Sequence, residues 1–207
     1  MSGLVVNTFI LLLVVIDPVG LAPMFGALSQ GMSAPERARV AGRAVLLAGA
    51  ILVGFAVAGR RLLGALGVGL PAFQIAGGVL LFLLAIDMVF ARQSGLRSAT
   101  PAEQREAARR SDISVFPLAF PLIAGPGALT TVLLVLTRSG VDAATYAVVF
   151  GVLAAVLAMT YAALRAADRL MRWLGETGAN VISRLLGLVL AALAVQFVLN
   201  GLGACRI

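Results

Sequence analysis

Asp17-Pro18-Val19-Gly20 and Ala124-Gly125-Pro126-Gly127 interrupt two otherwise apolar runs, Leu4 to Leu28 and Ile113 to Leu136. Pro18 and Pro126 stand 108 residues apart in a chain of 207. Such breaks free backbone carbonyls and amides. At membrane depth these groups persist only where protein or a water-filled cavity satisfies them. Matching interruptions in the two halves of a membrane protein point to a site between structural repeats. The two stretches predict an all-α integral membrane protein of six transmembrane helices, arranged as two inverted three-helix repeats with spans 1 and 4 interrupted by Gly/Pro.

The rest of the chain fits that reading. Apolar residues make up 61% and charged residues only 12%, and mean hydropathy is +1.05. A soluble domain of this size cannot hide so much apolar surface, so lipid is the expected solvent. Six segments have the roughly 17–25 mostly apolar residues a membrane helix needs. They run from about Leu4 to Leu28, Arg43 to Gly59, Leu70 to Phe90, Ile113 to Leu136, Ala143 to Leu164 and Ala179 to Leu202. The second has an open end, because Arg60 and Arg61 precede a further apolar stretch. Three spans per half is an odd number, so the second half enters the membrane in the opposite sense. A shift of 109 places Gly78 on Gly187, Leu81 on Leu190, Leu84 on Leu193, Ala85 on Ala194 and Asp87 on Gln196. The expected organisation is residues 1–90 as the first repeat, 91–112 as a cytoplasmic linker and 113–207 as the second repeat.

Net charge is +7, and all sixteen basic residues are Arg. They sit at span ends, where they set orientation and touch headgroups, rather than forming a nucleic-acid face. Twelve fall on the side carrying the 91–112 loop and four on the side carrying the termini. The excess marks the loop side as cytoplasm and puts both termini outside. The loop itself reads as a short surface helix or a disordered segment. There is no His, and Cys205 is the sole Cys. An intrachain disulfide is therefore impossible, and the commonest proton shuttle and metal ligand is missing. No metal and no cofactor is expected. The N-terminus lacks a basic n-region and cleavage site, so it reads as the first span.

Asp17 is the main site candidate. An Asp near the bilayer centre costs about 2.5–3.5 kcal/mol on insertion scales, which argues that it faces the interior. Asp followed by Pro is also a helix start signal, so Asp17 doubles as an N-cap for a half-helix beginning at Pro18. Pro18, Gly20 and Pro23, with Gly125, Pro126 and Gly127, would wall the site or simply kink packed helices. A half-helix starting after each break aims its amides at an anionic group. Thr130 and Thr131 follow the second break and offer hydroxyls for a solute or for a neighbouring helix. Asn7, Gln74, Gln196 and Asn200 are secondary candidates, read equally as polar glue between helices. Asp87, the last secondary candidate, is expected to reach the cytoplasmic interface and pair with Arg92.

Ile16-Asp17-Pro18-Val19-Gly20-Leu21-Ala22-Pro23-Met24-Phe25 and Phe120-Pro121-Leu122-Ile123-Ala124-Gly125-Pro126-Gly127-Ala128-Leu129-Thr130-Thr131-Val132 resemble the paired motifs of the MarC family of six-span inner-membrane proteins. Phe73-Gln74-Ile75-Ala76-Gly77-Gly78 fits the same pattern, and the resemblance covers nearly the whole chain. It implies membership of the lysine-exporter-like carriers, a bacterial inner-membrane location and transport of small neutral amino acids.

The resulting expectation is a secondary carrier with its site near the broken helices, and not an enzyme. Its partners would be a small solute, with coupling to H+ or Na+ left open, and membrane lipids; a homo-oligomer is compatible. A channel or an ion or metal exporter of the same fold is the alternative. No charge ring or carbonyl filter is visible for the former, and one central Asp without His or Cys is thin for the latter. An enzyme lacks paired central carboxylates, and a scaffold gives no reason for two helix breaks.

Overall fold

The computed structural model describes residues 2–90, 113–138 and 142–205. Eight helical elements account for them, and no strand occurs among the described residues. They are α1 (Ser2–Ile16), α2 (Pro18–Leu28), α3 (Ala34–Ala65), α4 (Leu70–Phe90), α5 (Ser114–Ile123), α6 (Pro126–Arg138), α7 (Ala143–Arg165) and α8 (Ala167–Ala204). Five helical stretches are long and apolar enough to span a membrane: Ser2–Leu28, α3, α4, α7 and Asn180–Ala204. The pair α5 and α6, bent by 53° at the break between them, makes a sixth. The expected linker, 91–112, lies outside the described residues.

Two boundaries differ from the sequence expectation. The second span begins at Ala34, well before Arg43, because Ser33 and Glu36 form a capping box and a Pro follows within the first turn. It then runs through Arg60 and Arg61, whose side chains are exposed. The sixth span is preceded by a helical stretch from Ala167, joined to it at Gly175, where φ is +64°. That left-handed geometry suits Gly and costs any other residue.

α5 is not an ordinary α-helix. Its sequence is a tandem, Phe116-Pro117-Leu118-Ala119 then Phe120-Pro121-Leu122-Ile123. Proline pushes the residue before it out of helical geometry. Phe116 (φ −130°, ψ 129°) and Phe120 (φ −135°, ψ 129°) are both extended, and both Phe–Pro bonds are cis. The segment is closed by wide i→i+5 bonds, such as Ala124 N–H to the Ala119 carbonyl at 2.9 Å.

The broken pairs sit in the middle of the molecule. The Ser2–Leu28 span is 56% buried, against 28% for α3 and for the α8 span. Val132 to Leu136 of α6 are all buried. Large apolar side chains of the outer helices, such as Leu46, Val57, Leu185 and Leu188, are exposed, as lipid-facing positions are.

The packing has a paired pattern. α3 packs on α5 and α6, and α7 packs on α1 and α2. α4 packs on α6, and α8 on α2. α3 also meets α7, and α4 lies along α8 in the largest interface of the molecule. α4 and α8 run antiparallel: Gly78 faces Val198 and the Ala194 carbonyl, Gly187 faces Met88 and Val89, and Gly201 faces Ile75 and Pro71. A Cβ on Gly78 would sit 2.8 Å from that carbonyl, and one on Gly187 2.7 Å from Met88 Cβ. Small residues here let the two backbones approach, which is what drives association where lipid removes the hydrophobic effect.

Candidate functional site

At the first break a single residue ends one helix and starts the next. The Asp17 N–H donates to the Leu13 carbonyl at 2.9 Å, and the Leu21 N–H donates to the Asp17 carbonyl at 3.1 Å. Asp17 itself is left-handed, at φ 49° and ψ 70°. Among non-glycine residues Asp and Asn tolerate this region best, because their short side chains bond locally. Asp17 does so: its Oδ1 accepts from the Gly20 N–H at 3.0 Å. The expected N-cap is thus present, with Pro18 in the first turn. The carboxylate lies so close to the Gly20 Cα that any Cβ there would overlap Asp17 Oδ2. Asp17 and Pro18 are buried, and Gly20 and Pro23 are half-buried.

The second break is sharper. Ala124 ends α5 and Pro126 begins α6. A Cβ on Gly125 would stand 2.5 Å from the Pro121 carbonyl oxygen, so the turn excludes a side chain. The Leu129 N–H reaches back to the Gly125 carbonyl at 3.0 Å. The amides of Gly127 and Ala128 lie earlier in the first turn and have no carbonyl one turn behind them. Gly127 packs against Leu81 of α4 and Val15 of α1, so the second break touches the helix that leads into the first.

A cavity of about 230 Å³ opens at this second break. Gly125, Pro126 and Gly127 line it, with Val15, Leu80, Leu81, Leu84 and the residues Pro121 to Ile123. Its wall is mainly apolar, and it reaches the surface beside Leu80 and Pro126, both exposed. The volume is below the roughly 300–1,000 Å³ of drug-sized sites. Asp17, Pro18, Gly20 and Pro23 do not line it.

The remaining candidates separate. Thr130 is buried, with its methyl against Gly77 of α4 and its hydroxyl donating to the Pro126 carbonyl at 2.8 Å. Thr131 and Gln74 are buried, and neither the Thr131 hydroxyl nor Gln74 Nε2 has a hydrogen-bond partner. Thr8 shares that condition and was invisible in the sequence, a lone Thr in an apolar run beside the more polar Asn7. The structure exposes Asn7, one residue and about 100° around the helix from buried Thr8, which removes Asn7 from the interior. Gln196 is also exposed; its Nε2 donates to Asn200 Oδ1 at 2.9 Å within the same helix instead of bridging two helices. Asp87, three residues from the end of α4, is buried in the protein, and its expected partner Arg92 lies outside the described residues. Among the described residues no three Cys, Asp or Glu side chains gather as metal ligands would.

Comparison with known proteins agrees with the architecture. The family described as "MarC family integral membrane protein" matches residues 3–205. UPF0056 membrane protein YvbG of Bacillus subtilis is 37% identical over 203 residues, covering 98% of this chain and 95% of its own. UPF0056 inner membrane protein YhgN of Escherichia coli is 32% identical over 202 residues, covering 96% and 95%. No solved structure matches.

Proposed function

The chain belongs to the MarC family of integral membrane proteins, and we propose that within it the protein is a secondary carrier of small neutral amino acids. The observation that carries this reading is the second break. There a span bends by 53°, a small cavity opens, and a 13-residue helix begins with two free amides at the cavity wall. An apolar pocket below drug size with a helix N-terminus suits a short side chain and a carboxylate. The paired packing supports two halves related by an inverted two-fold. Exchanging residues by the 109-residue shift turns the Gly78–Val198 contact into Gly187–Val89, and both contacts occur. In such carriers one repeat rocks against the other around a site at their interface.

The proposed location is the inner membrane with both termini outside; the likeness to the E. coli relative named an inner membrane protein supports the first, and the arginine distribution supports the second. Proteoliposomes test the reading. Labelled alanine, serine or glycine is expected to accumulate saturably under a proton or sodium gradient. Movement of another solute with no exchange of any of these three would overturn the substrate class.

A further inference from the structure

Among the described residues, three buried side-chain polar atoms have no hydrogen-bond partner: Thr8 Oγ1 on α1, Gln74 Nε2 on α4 and Thr131 Oγ1 on α6. Their residues are 1%, 4% and 0% exposed. Such groups cost stability when nothing satisfies them, so their presence needs a reason. A threonine in a helix ordinarily donates to the carbonyl four residues back. Thr130, Thr137 and Thr160 all do so here, at 2.8, 3.0 and 2.9 Å. Thr8 and Thr131 do not.

Helix spacing puts the three residues on faces that converge toward Gly127. Val15 and Leu81 both pack against Gly127, and all three line the cavity. Thr8 precedes Val15 by seven residues and Gln74 precedes Leu81 by seven, two helical turns in each case, so each pair shares a face. Thr131 follows Gly127 by four and shares its face in the same way. The directions agree as well. α4 and α6 are antiparallel, since Gly127 meets Leu81 and Thr130 meets Gly77. The short connection from α2 to α3 and the turn from α3 to α4 put the start of α1 at the same end of the molecule as the start of α4. All three polar residues therefore lie on one side of the Val15–Leu81–Gly127 contact. At 1.5 Å per residue, Thr8 and Gln74 are about 10 Å from it and Thr131 about 6 Å.

We propose that Thr8, Gln74 and Thr131 form a second, occluded solute station, separated from the cavity by the Val15–Leu81–Gly127 constriction. Two hydroxyls and an amide N–H₂ offer three neutral donors, which suit the carboxylate or carbonyl oxygen of a small solute. Asp17 lies nine residues from Thr8, about 13 Å of helix rise, so one small amino acid does not touch both. The solute's identity rests on the carrier reading above; the donor chemistry of the station does not.

The test is thermal unfolding of the purified full-length protein, titrated with acetate and alanine as acceptor-bearing probes and with methylammonium and Na+ as cation probes. Acetate and alanine are expected to raise the unfolding temperature of the wild type, and the cations are not. Thr8→Val, Thr131→Val and Gln74→Leu should unfold at or above the wild-type temperature without ligand, because each removes an unsatisfied polar atom. Each should bind acetate and alanine roughly two- to tenfold more weakly. Thr160→Val, which removes a satisfied hydroxyl elsewhere, should leave binding unchanged. Stabilisation by Na+ alone, no response to acetate or alanine, or unchanged affinity in the three variants overturns the station. A fall in unfolding temperature in the ligand-free variants overturns it too, since the protein itself would then satisfy these groups. Uptake with unchanged KM in Thr131→Val and Gln74→Leu would remove the station and leave the carrier. Acetate binding without any uptake by the wild type would do the reverse.

Discussion

Asp17 combines three constraints in one residue: a left-handed backbone, a cap on the Gly20 amide and burial at the junction of α1 and α2. Asn meets the first two as well as Asp does, but it cannot ionise. Asp17→Asn is therefore expected to keep the wild-type unfolding temperature, while Asp17→Ala loses about 0.5–2 kcal/mol with its cap. If the carboxylate couples transport to an ion gradient, Asp17→Asn also loses gradient-driven accumulation of labelled alanine and keeps exchange. Normal accumulation by Asp17→Asn would leave Asp17 as architecture alone. Gly20 is tied to the same carboxylate. Gly20→Ala drives a methyl into Asp17 Oδ2 and should cost about 1–3 kcal/mol, the usual range for overpacking. Gly54, with nothing near its Cα, provides the control: Gly54→Ala should be neutral or stabilising by up to about 1 kcal/mol. Chemical denaturation in detergent reads both. The cap was legible in the sequence, because Asp before Pro is a start signal wherever it stands. The left-handed turn that makes Asp17 fit was not, since it depends on how α1 ends.

At the scale of elements, the positions of the breaks and of the six apolar stretches were legible because Gly, Pro and hydropathy act locally. What sequence reading missed depends on partners or on fine winding. Ser33 and Glu36 extend α3 over Arg37 and Arg39, which a hydropathy window reads as loop. The tandem Phe-Pro pairs wind α5 wide ahead of the Gly125 break that the sequence marks. Thr8 becomes notable only when packing buries its hydroxyl without a hydrogen-bond partner among the described residues. The α4–α8 contact yields a paired prediction. Gly78→Ala and Gly187→Ala should each destabilise by about 1–3 kcal/mol, because each added methyl meets the opposite helix at under 3 Å. A much smaller effect at either position would argue against this close antiparallel packing. The start of α7 carries a pH signature. Thr145 hydrogen bonds hold the exposed Asp142 carboxyl below its usual range. A lowered folded-state pKa means that the cap's contribution is present above the ordinary carboxylate pKa of about 4 and fades as pH falls through the lowered value. Acidification should therefore lower the protection of the first-turn amides of α7 relative to their intrinsic exchange rates, and Asp142→Asn should remove that dependence while keeping the cap.

At the scale of the whole molecule, the broken pairs α1–α2 and α5–α6 occupy the centre, and four longer helices surround them. That arrangement buries Asp17 at the first break and Ala124 and Gly127 at the second, the setting in which irregular backbone is tolerable within a membrane. It also leaves orientation to the surface, where arginines decide it. The end of the bundle carrying Ser33 and the start of α8 is held by Arg37, which pairs with Asp168 and lies over the Phe25 ring at 5.6 Å. Arg39, Arg43, Arg165, Arg169 and Arg172 belong to the same end of the helices, where α4 also ends, and the arginine-rich stretch 91–112 is next after α4 in sequence. Arg60 and Arg61 mark the opposite end. Basic residues resist translocation, so the richer end is expected in the cytoplasm and Ser2 outside. Single cysteines at Ser2 and Ser98, in a background with Cys205 replaced, read this directly with an impermeant thiol reagent on intact cells. Ser2→Cys should label before lysis and Ser98→Cys only after it. Labelling of Ser98→Cys in intact cells would invert the molecule. The constriction at Val15, Leu81 and Gly127 would then lie between the outside and the proposed Thr8–Gln74–Thr131 station, and the cavity at Pro126 would face the other way along the transport path.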